Sequence, residues 1–69
     1  MDSPRDPRTD PKAGDVLSTP YRRRVVYEIL RSPHGVFVHW ECSNGAREYC
    51  SLTSWQAWAR TAKVLETAP

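Results

Sequence analysis

The sequence predicts a mainly β protein: a small antiparallel barrel of four to five strands with one short C-terminal helix. Three observations lead there. Residues 22–31 and 36–42 alternate side chains in the period-2 manner of strands, and are rich in Val, Ile, Tyr, Phe and Trp. Turn-forming residues, Gly14-Asp15, Ser32-Pro33-His34-Gly35 and Ser43-Asn44-Gly45, break the chain at short intervals. Beyond residue 52 the period changes to that of a helix. At 69 residues the chain allows a single small domain. Such a domain buries only about 60% of its unfolded surface, so it gains from a partner or a second copy.

The first dozen residues carry Pro4, Pro7 and Pro11, mixed charges and no large apolar side chain besides Met1. A segment of that composition cannot offset its own ordering entropy, so 1–13 is expected to be a disordered N-terminal tail. The folded domain spans 14–66, and 67–69 form a C-terminal tail. Gly14-Asp15 opens the domain, Val16 and Leu17 start a short strand, and Pro20 ends it. "RRRVVYEILR" is the second strand, with Val25, Tyr27 and Ile29 on one side. "SPHG" suits a type I turn, and "VFVHWEC" is the third strand, placing Val36, Val38, Trp40 and Cys42 together. "AREYCSL" is the fourth strand. "TSWQAWARTA" offers Thr53 as N-cap with Gln56 three residues later, a capping-box pattern, followed by Trp55, Trp58, Ala59 and Ala62 at helical spacing. Residues 63–66 read as a closing strand in preference to more helix.

"GDVL", "RRVVYEIL" and "CSLTSWQAWA…VL", taken together over about residues 13–66, resemble the small SH3-like barrel proteins of phage and prophage type. In that family a "GD" turn opens the first strand and a Trp-bearing helical turn precedes the last. The resemblance implies an SH3-like β-barrel and a phage or prophage setting. It names no activity, because such barrels bind peptides, nucleic acids or assembly partners.

"HWECSNGAREYC", residues 39–50, gathers a histidine, two cysteines and two carboxylates around an Asn-Gly. Hairpin register decides which of them meet. In the first hairpin Arg31 pairs with Val36, Ile29 with Val38, Tyr27 with Trp40 and Val25 with Cys42. Leu30, Glu28 and Val26 then face Phe37, His39 and Glu41 on the other side. In the second hairpin two registers compete. A three-residue loop with Gly45 in the left-handed conformation pairs Cys42 with Ala46, Glu41 with Arg47, His39 with Tyr49 and Val38 with Cys50. A two-residue Asn44-Gly45 turn instead sets Glu41 against Glu48, an unfavourable like-charge pair, and buries Arg47. The three-residue loop is preferred. Only the rival register aligns Glu28, His39 and Cys50 as a carboxylate, base and thiol, and no oxyanion hole accompanies them. The chain is therefore read as not an enzyme. The spacing H-x4-H-x2-C-x7-C fits no common zinc pattern, and His39 and Cys42 fall on opposite faces, so no metal and no cofactor are expected. A Cys42–Cys50 disulfide fails too, since Cys50 lies roughly 13 Å along the strand from the partner of Cys42.

Two features could bind. The outer face, with Val26, Leu30, Phe37, His39 and Tyr49, has more apolar area than a solvated face needs. Either the Trp55/Trp58 helix covers part of it or a partner does; one tryptophan plugs the barrel and the other lies over its rim. The expected function is a non-enzymatic interaction module that binds a protein partner, or a second copy, through Phe37, His39, Arg47 and Tyr49. The alternative is a nucleic-acid-binding barrel using Tyr21, Arg22, Arg23 and Arg24 on phosphates and a base. Three consecutive arginines also serve to protect an edge strand from unwanted pairing. The net charge of +2 is too small to announce a nucleic-acid binder by itself. No stretch approaches the roughly 20 apolar residues of a membrane span. "MDSPRDPRTDPK" lacks the apolar core of a signal peptide, which favours a cytoplasmic location with reduced thiols. No small-molecule substrate is evident.

Overall fold

Alternating β-branched and aromatic residues on either side of a Pro33-His34 turn build the longest hairpin of the protein, β2 (Arg23–Ser32) with β3 (Gly35–Cys42). The computed structural model describes residues 5–69. Its other elements are β1 (Val16–Ser18), β4 (Arg47–Ser51), α1 (Leu52–Ala59) and β5 (Lys63–Glu66). Among the described residues the strands form one antiparallel sheet in the order β4-β3-β2-β1-β5, with β4 and β5 at its edges and no ladder joining them. The chain is thus mainly β, a single unclosed five-stranded sheet with one short helix. Residues 63–66 form a strand rather than more helix, paired with β1 at the sheet edge, and the expected closure into a barrel is not seen among the described residues.

The second hairpin adopts the three-residue loop. Cys42 N–H donates to Ala46 O at 2.7 Å, and Gly45, at φ +86°, donates to Cys42 O at 2.9 Å. Glu41 pairs with Arg47, His39 with Tyr49 and Val38 with Cys50. The first hairpin departs from expectation at one residue. Leu30, Ile29 and Glu28 face Phe37, Val38 and His39 as expected, but the register shifts between Val26 and Glu28. Tyr27 is the extra residue of a β-bulge, so everything before it is displaced by one position. Val26 now pairs with Trp40, and Arg24 with Cys42. The inferred pairs Tyr27–Trp40, Val25–Cys42 and Val26–Glu41 do not form. Val26 is therefore buried, Tyr27 lies on the outer face at 37% exposure, and Arg24 points inward.

The helix starts before the expected cap. Ser51, the last residue of β4, accepts from Ser54 N–H at 3.2 Å, which makes Ser51 the N-cap and leaves Thr53 exposed inside the first turn. α1 packs on the inner face of the sheet, where Leu17, Val26, Val38, Trp40, Trp55, Ala59 and Ala62 form the core. Trp55 is wholly buried, 5.7 Å from the ring centre of Trp40, while Trp58 lies half-buried at the rim.

Residues 5–13, expected as part of a disordered tail, are instead laid across α1; residues 1–4 lie outside the described residues. Trp55 Nε1 donates to Pro7 O at 3.1 Å, Gln56 Nε2 donates to Thr9 O at 2.9 Å, and Pro7 and Pro11 are buried. Asp15 anchors the segment. Its carboxylate is fully buried and accepts from Arg5 Nη1 and Nη2 at 2.6 and 2.8 Å, and from the Lys12 and Ala68 N–H groups at 2.7 Å each. Arg5 also donates to Asp10 O and Ala68 O, so the 67–69 tail is held at Ala68. Composition misjudged the segment because it counts apolar area in isolation. Here the ordering is offset by a charge-assisted fork and by the satisfaction of a buried indole N–H. Gly14 completes the junction: it adopts φ +103°, and a Cβ there would sit 3.2 Å from that of Ala68.

Burial alone raises the Asp15 carboxyl, but the Arg5 fork and the Ala68 and Lys12 amides outweigh it and hold it below its usual range. A folded-state value below the unfolded one gives stability that is present above about pH 4 and lost as pH falls through the folded value. Asp15→Asn is expected to lower unfolding free energy at pH 7 by about 3 kcal/mol, because it leaves Arg5 without its buried partner. The variant should also lose stability less steeply than wild type in urea titrations run from pH 5 to pH 2. Unchanged stability at pH 7 with an unchanged acid slope contradicts the role assigned to Asp15.

Candidate functional site

The bulge that turns Tyr27 outward assembles a continuous aromatic row on the face opposite α1. His39 and Tyr49, directly cross-strand, stack with ring centres 5.0 Å apart and planes 15° apart. Phe37 meets Tyr49 edge-on at 6.4 Å, and Tyr27 meets His39 edge-on at 6.1 Å. The Arg47 guanidinium lies 4.8 Å from the Tyr27 ring centre and 3.8 Å from Glu41 Oε1. Pairs of this geometry contribute of order 1 kcal/mol each and hold the rings in fixed positions. All four residues predicted to bind a partner, Phe37, His39, Arg47 and Tyr49, therefore share one surface. Tyr27 joins them unforeseen, because alternation alone places it in the core and nothing local marks the bulge. Tyr49 is 66% exposed and Leu30 extends the face at 43%.

The arginine run is divided by strand geometry. Thr19 closes the β1–β2 turn by donating to Arg22 O at 2.7 Å and accepting at its hydroxyl from Arg22 N–H at 3.1 Å. That turn holds Tyr21 out at 92% exposure. Arg22 and Arg23 are exposed, but Arg24 enters the inner face. Its guanidinium lies 4.0 Å from the Trp40 ring centre and 3.9 Å from that of Trp58. Desolvation pushes the Arg24 pKa down, with Cys50, Glu48 and Cys42 partly opposing. The proposed phosphate-binding set of Tyr21, Arg22, Arg23 and Arg24 is thus not presented as one patch. Successive residues on a strand face opposite ways, and the bulge sends Arg24 inward.

The suggestive residues of 39–50 separate in the same way. His39 belongs to the outer row. Cys42, Glu48 and Cys50 belong to the inner side, with Cys42 Sγ 3.7 Å from Glu48 Oε1. Both cysteines are free, and Cys50 pairs with Val38 while Cys42 pairs with Ala46. No thiol–imidazole dyad can form across the thickness of the sheet. Among the described residues no three His, Cys, Asp or Glu side chains gather in a metal-holding group. None of the helices there is long and apolar enough to cross a membrane.

Burial pushes the Cys50 thiol up, and Arg24 offsets only part of that shift. Native Cys50 is expected to react with iodoacetamide at neutral pH about tenfold more slowly than in the urea-unfolded chain, as read by peptide mass spectrometry. A native rate at or above the unfolded one means that the thiol is activated and restores a cysteine-based chemistry. No family model, curated protein or solved structure matches this chain.

Proposed function

We propose that this protein is a non-enzymatic interaction module that binds a protein partner through the outer face of β2, β3 and β4. The observation that carries the reading is the aromatic row Phe37–Tyr49–His39–Tyr27, closed by Arg47. It is pre-arranged by stacking, rises to 66% exposure at Tyr49, and lies on the side that α1 does not cover. Tyrosine, phenylalanine and arginine on a rigid surface supply large contact area with little further loss of side-chain freedom on binding. Both β-hairpins hold the rings from the backbone side, so the partner meets a formed surface.

The strand order β4-β3-β2-β1-β5, with a helix in the β4–β5 connection, supports assigning the domain to the SH3-like barrel class. On the strength of that resemblance we propose a phage or prophage setting, and the two free cysteines fit a reducing compartment such as the cytoplasm. The nucleic-acid alternative is weakened because the four residues form no continuous row: Tyr21, Arg22 and Arg24 border one groove, and Arg23 faces the other side of β2.

The test is a photo-cross-linking amino acid at position 49 in the cell of origin, with the same group at exposed Leu65 on the opposite sheet edge as control. A discrete protein adduct from position 49, absent from position 65 and lost when Phe37→Ser and His39→Ala are added, is the expected outcome. Each variant removes ring pairs worth about 1 kcal/mol apiece, so circular dichroism first establishes that the doubly substituted chain is folded. Equal adducts from both positions, or nucleic acid as the main adduct, rule out the proposed face.

A further inference from the structure

Arg24 is held in an unusual state for a surface-strand arginine. Its guanidinium carbon lies over the Trp40 and Trp58 rings, 4.0 and 3.9 Å from their centres, with a third ring, Trp55, at 5.9 Å. The five N–H donors of a guanidinium lie in its plane, so stacking leaves all of them directed along the edge. Among the described residues no carboxylate and no hydrogen bond meets them, and Arg24 Nε is buried without a partner. Trp40 Nε1, in the ring that stacks on Arg24, is likewise buried and unpartnered. The ring faces attract the cation and hold it in place. The nearby charge of Glu48 acts on Arg24 only at a distance, and an in-plane anion is the group that would satisfy the unpartnered donors directly.

The way in is a groove of about 440 Å³ between the β1–β2 turn and the C-terminal end of α1. Arg22 and Arg24 line it together with Pro20, Tyr21 and Trp58. It combines two cations with three apolar or aromatic surfaces, and no acidic residue borders it. A run of phosphates is a poor match, because Arg23 projects from the other face of β2 and cannot continue the row. A single carboxylate beside an apolar side chain matches both halves of the lining.

We infer that this groove binds an acidic peptide segment of a protein partner. One Asp or Glu carboxylate lies in the plane of the Arg24 guanidinium, Arg22 is the second cation, and a neighbouring apolar side chain rests on Pro20, Tyr21 and Trp58. The groove lies on the helix side of the sheet and does not depend on the aromatic row of the outer face.

The probes are acetyl-Leu-Glu-Leu-Glu-Leu-amide, its glutamine counterpart, and a short oligothymidylate, each titrated into the full chain while the Arg24 Nε–H and the tryptophan indole N–H resonances are followed. The glutamate peptide should shift the Arg24 and Trp58 signals saturably. The glutamine peptide should bind at least about tenfold more weakly, the loss of one charge-assisted bond. Arg24→Lys keeps the charge but removes the planar fork, and is expected to weaken the glutamate peptide by a similar factor. Should that variant fail to fold, Arg22→Ala changes only an exposed side chain and should weaken binding about threefold, with the loss growing as salt is lowered. Equal binding of the two peptides, unmoved Arg24 and Trp58 signals, or oligothymidylate shifting them at lower concentration than the peptide would each overturn the inference.

Discussion

The buried carboxylate of Asp15 is the point through which the two ends of the chain are joined to the sheet. It lies just before β1 and accepts four hydrogen bonds, two from Arg5 and one each from the Lys12 and Ala68 amides. Remove the charge and three separate segments lose a common anchor. The N-terminal strap would no longer be fixed at Arg5, and the chain beyond β5 would lose its tie at Ala68. The strap in turn supplies the carbonyl of Pro7 to the indole N–H of Trp55, the largest fully buried side chain of the core. One ionised group thus links strap, sheet and helix, and it works only because every lone pair that burial strips of water finds a donor.

The second constraint is one inserted residue. At Tyr27 the β2 strand contributes an extra position against β3, and the faces of β2 exchange on either side of it. C-terminal to the bulge, Ile29 is inward and Leu30 outward. N-terminal to it, Val26 and Arg24 are inward. Two consequences follow from that single offset. Tyr27 becomes part of the outer aromatic row and stacks under Arg47, and Arg24 is delivered to Trp40 and Trp58. Each of the two proposed binding surfaces thus includes a residue placed by the same irregularity, in keeping with the tendency of bulges to re-aim side chains.

The molecule is accordingly two-sided. The outer face offers preset aromatic rings of modest polarity; the inner side, where it emerges from beneath α1, offers a stacked cation with unused donors. The residues of 39–50 that suggested chemistry are kept apart by the sheet. The thiol of Cys50 is protected by burial, the imidazole of His39 is stacked on Tyr49 across the sheet, and the carboxylates Glu41 and Glu48 fall on different faces. The interaction-module reading proposed above rests on this two-sided arrangement.

The sequence by itself determined the β class, the five strands and late helix to within a few residues, and the register of the second hairpin. It also brought Phe37, His39, Arg47 and Tyr49 to one surface. These depend on short-range physics: period-2 alternation, the left-handed Gly45, and the penalty of setting Glu41 against Glu48. Tertiary structure alone decided the rest. The bulge at Tyr27 is invisible locally, because either register of residues 24–27 leaves plausible apolar residues inward; packing of Val26 and Arg24 against the tryptophans selects one. The N-terminal strap reads as disorder because its partners, Asp15, Trp55 and Ala68, are remote in sequence. The N-cap falls to Ser51 rather than Thr53 because β4 ends there and its hydroxyl reaches Ser54 N–H first. Local patterns fix what each segment is, whereas long-range pairing of buried charges and rings fixes which faces meet and what the surface presents.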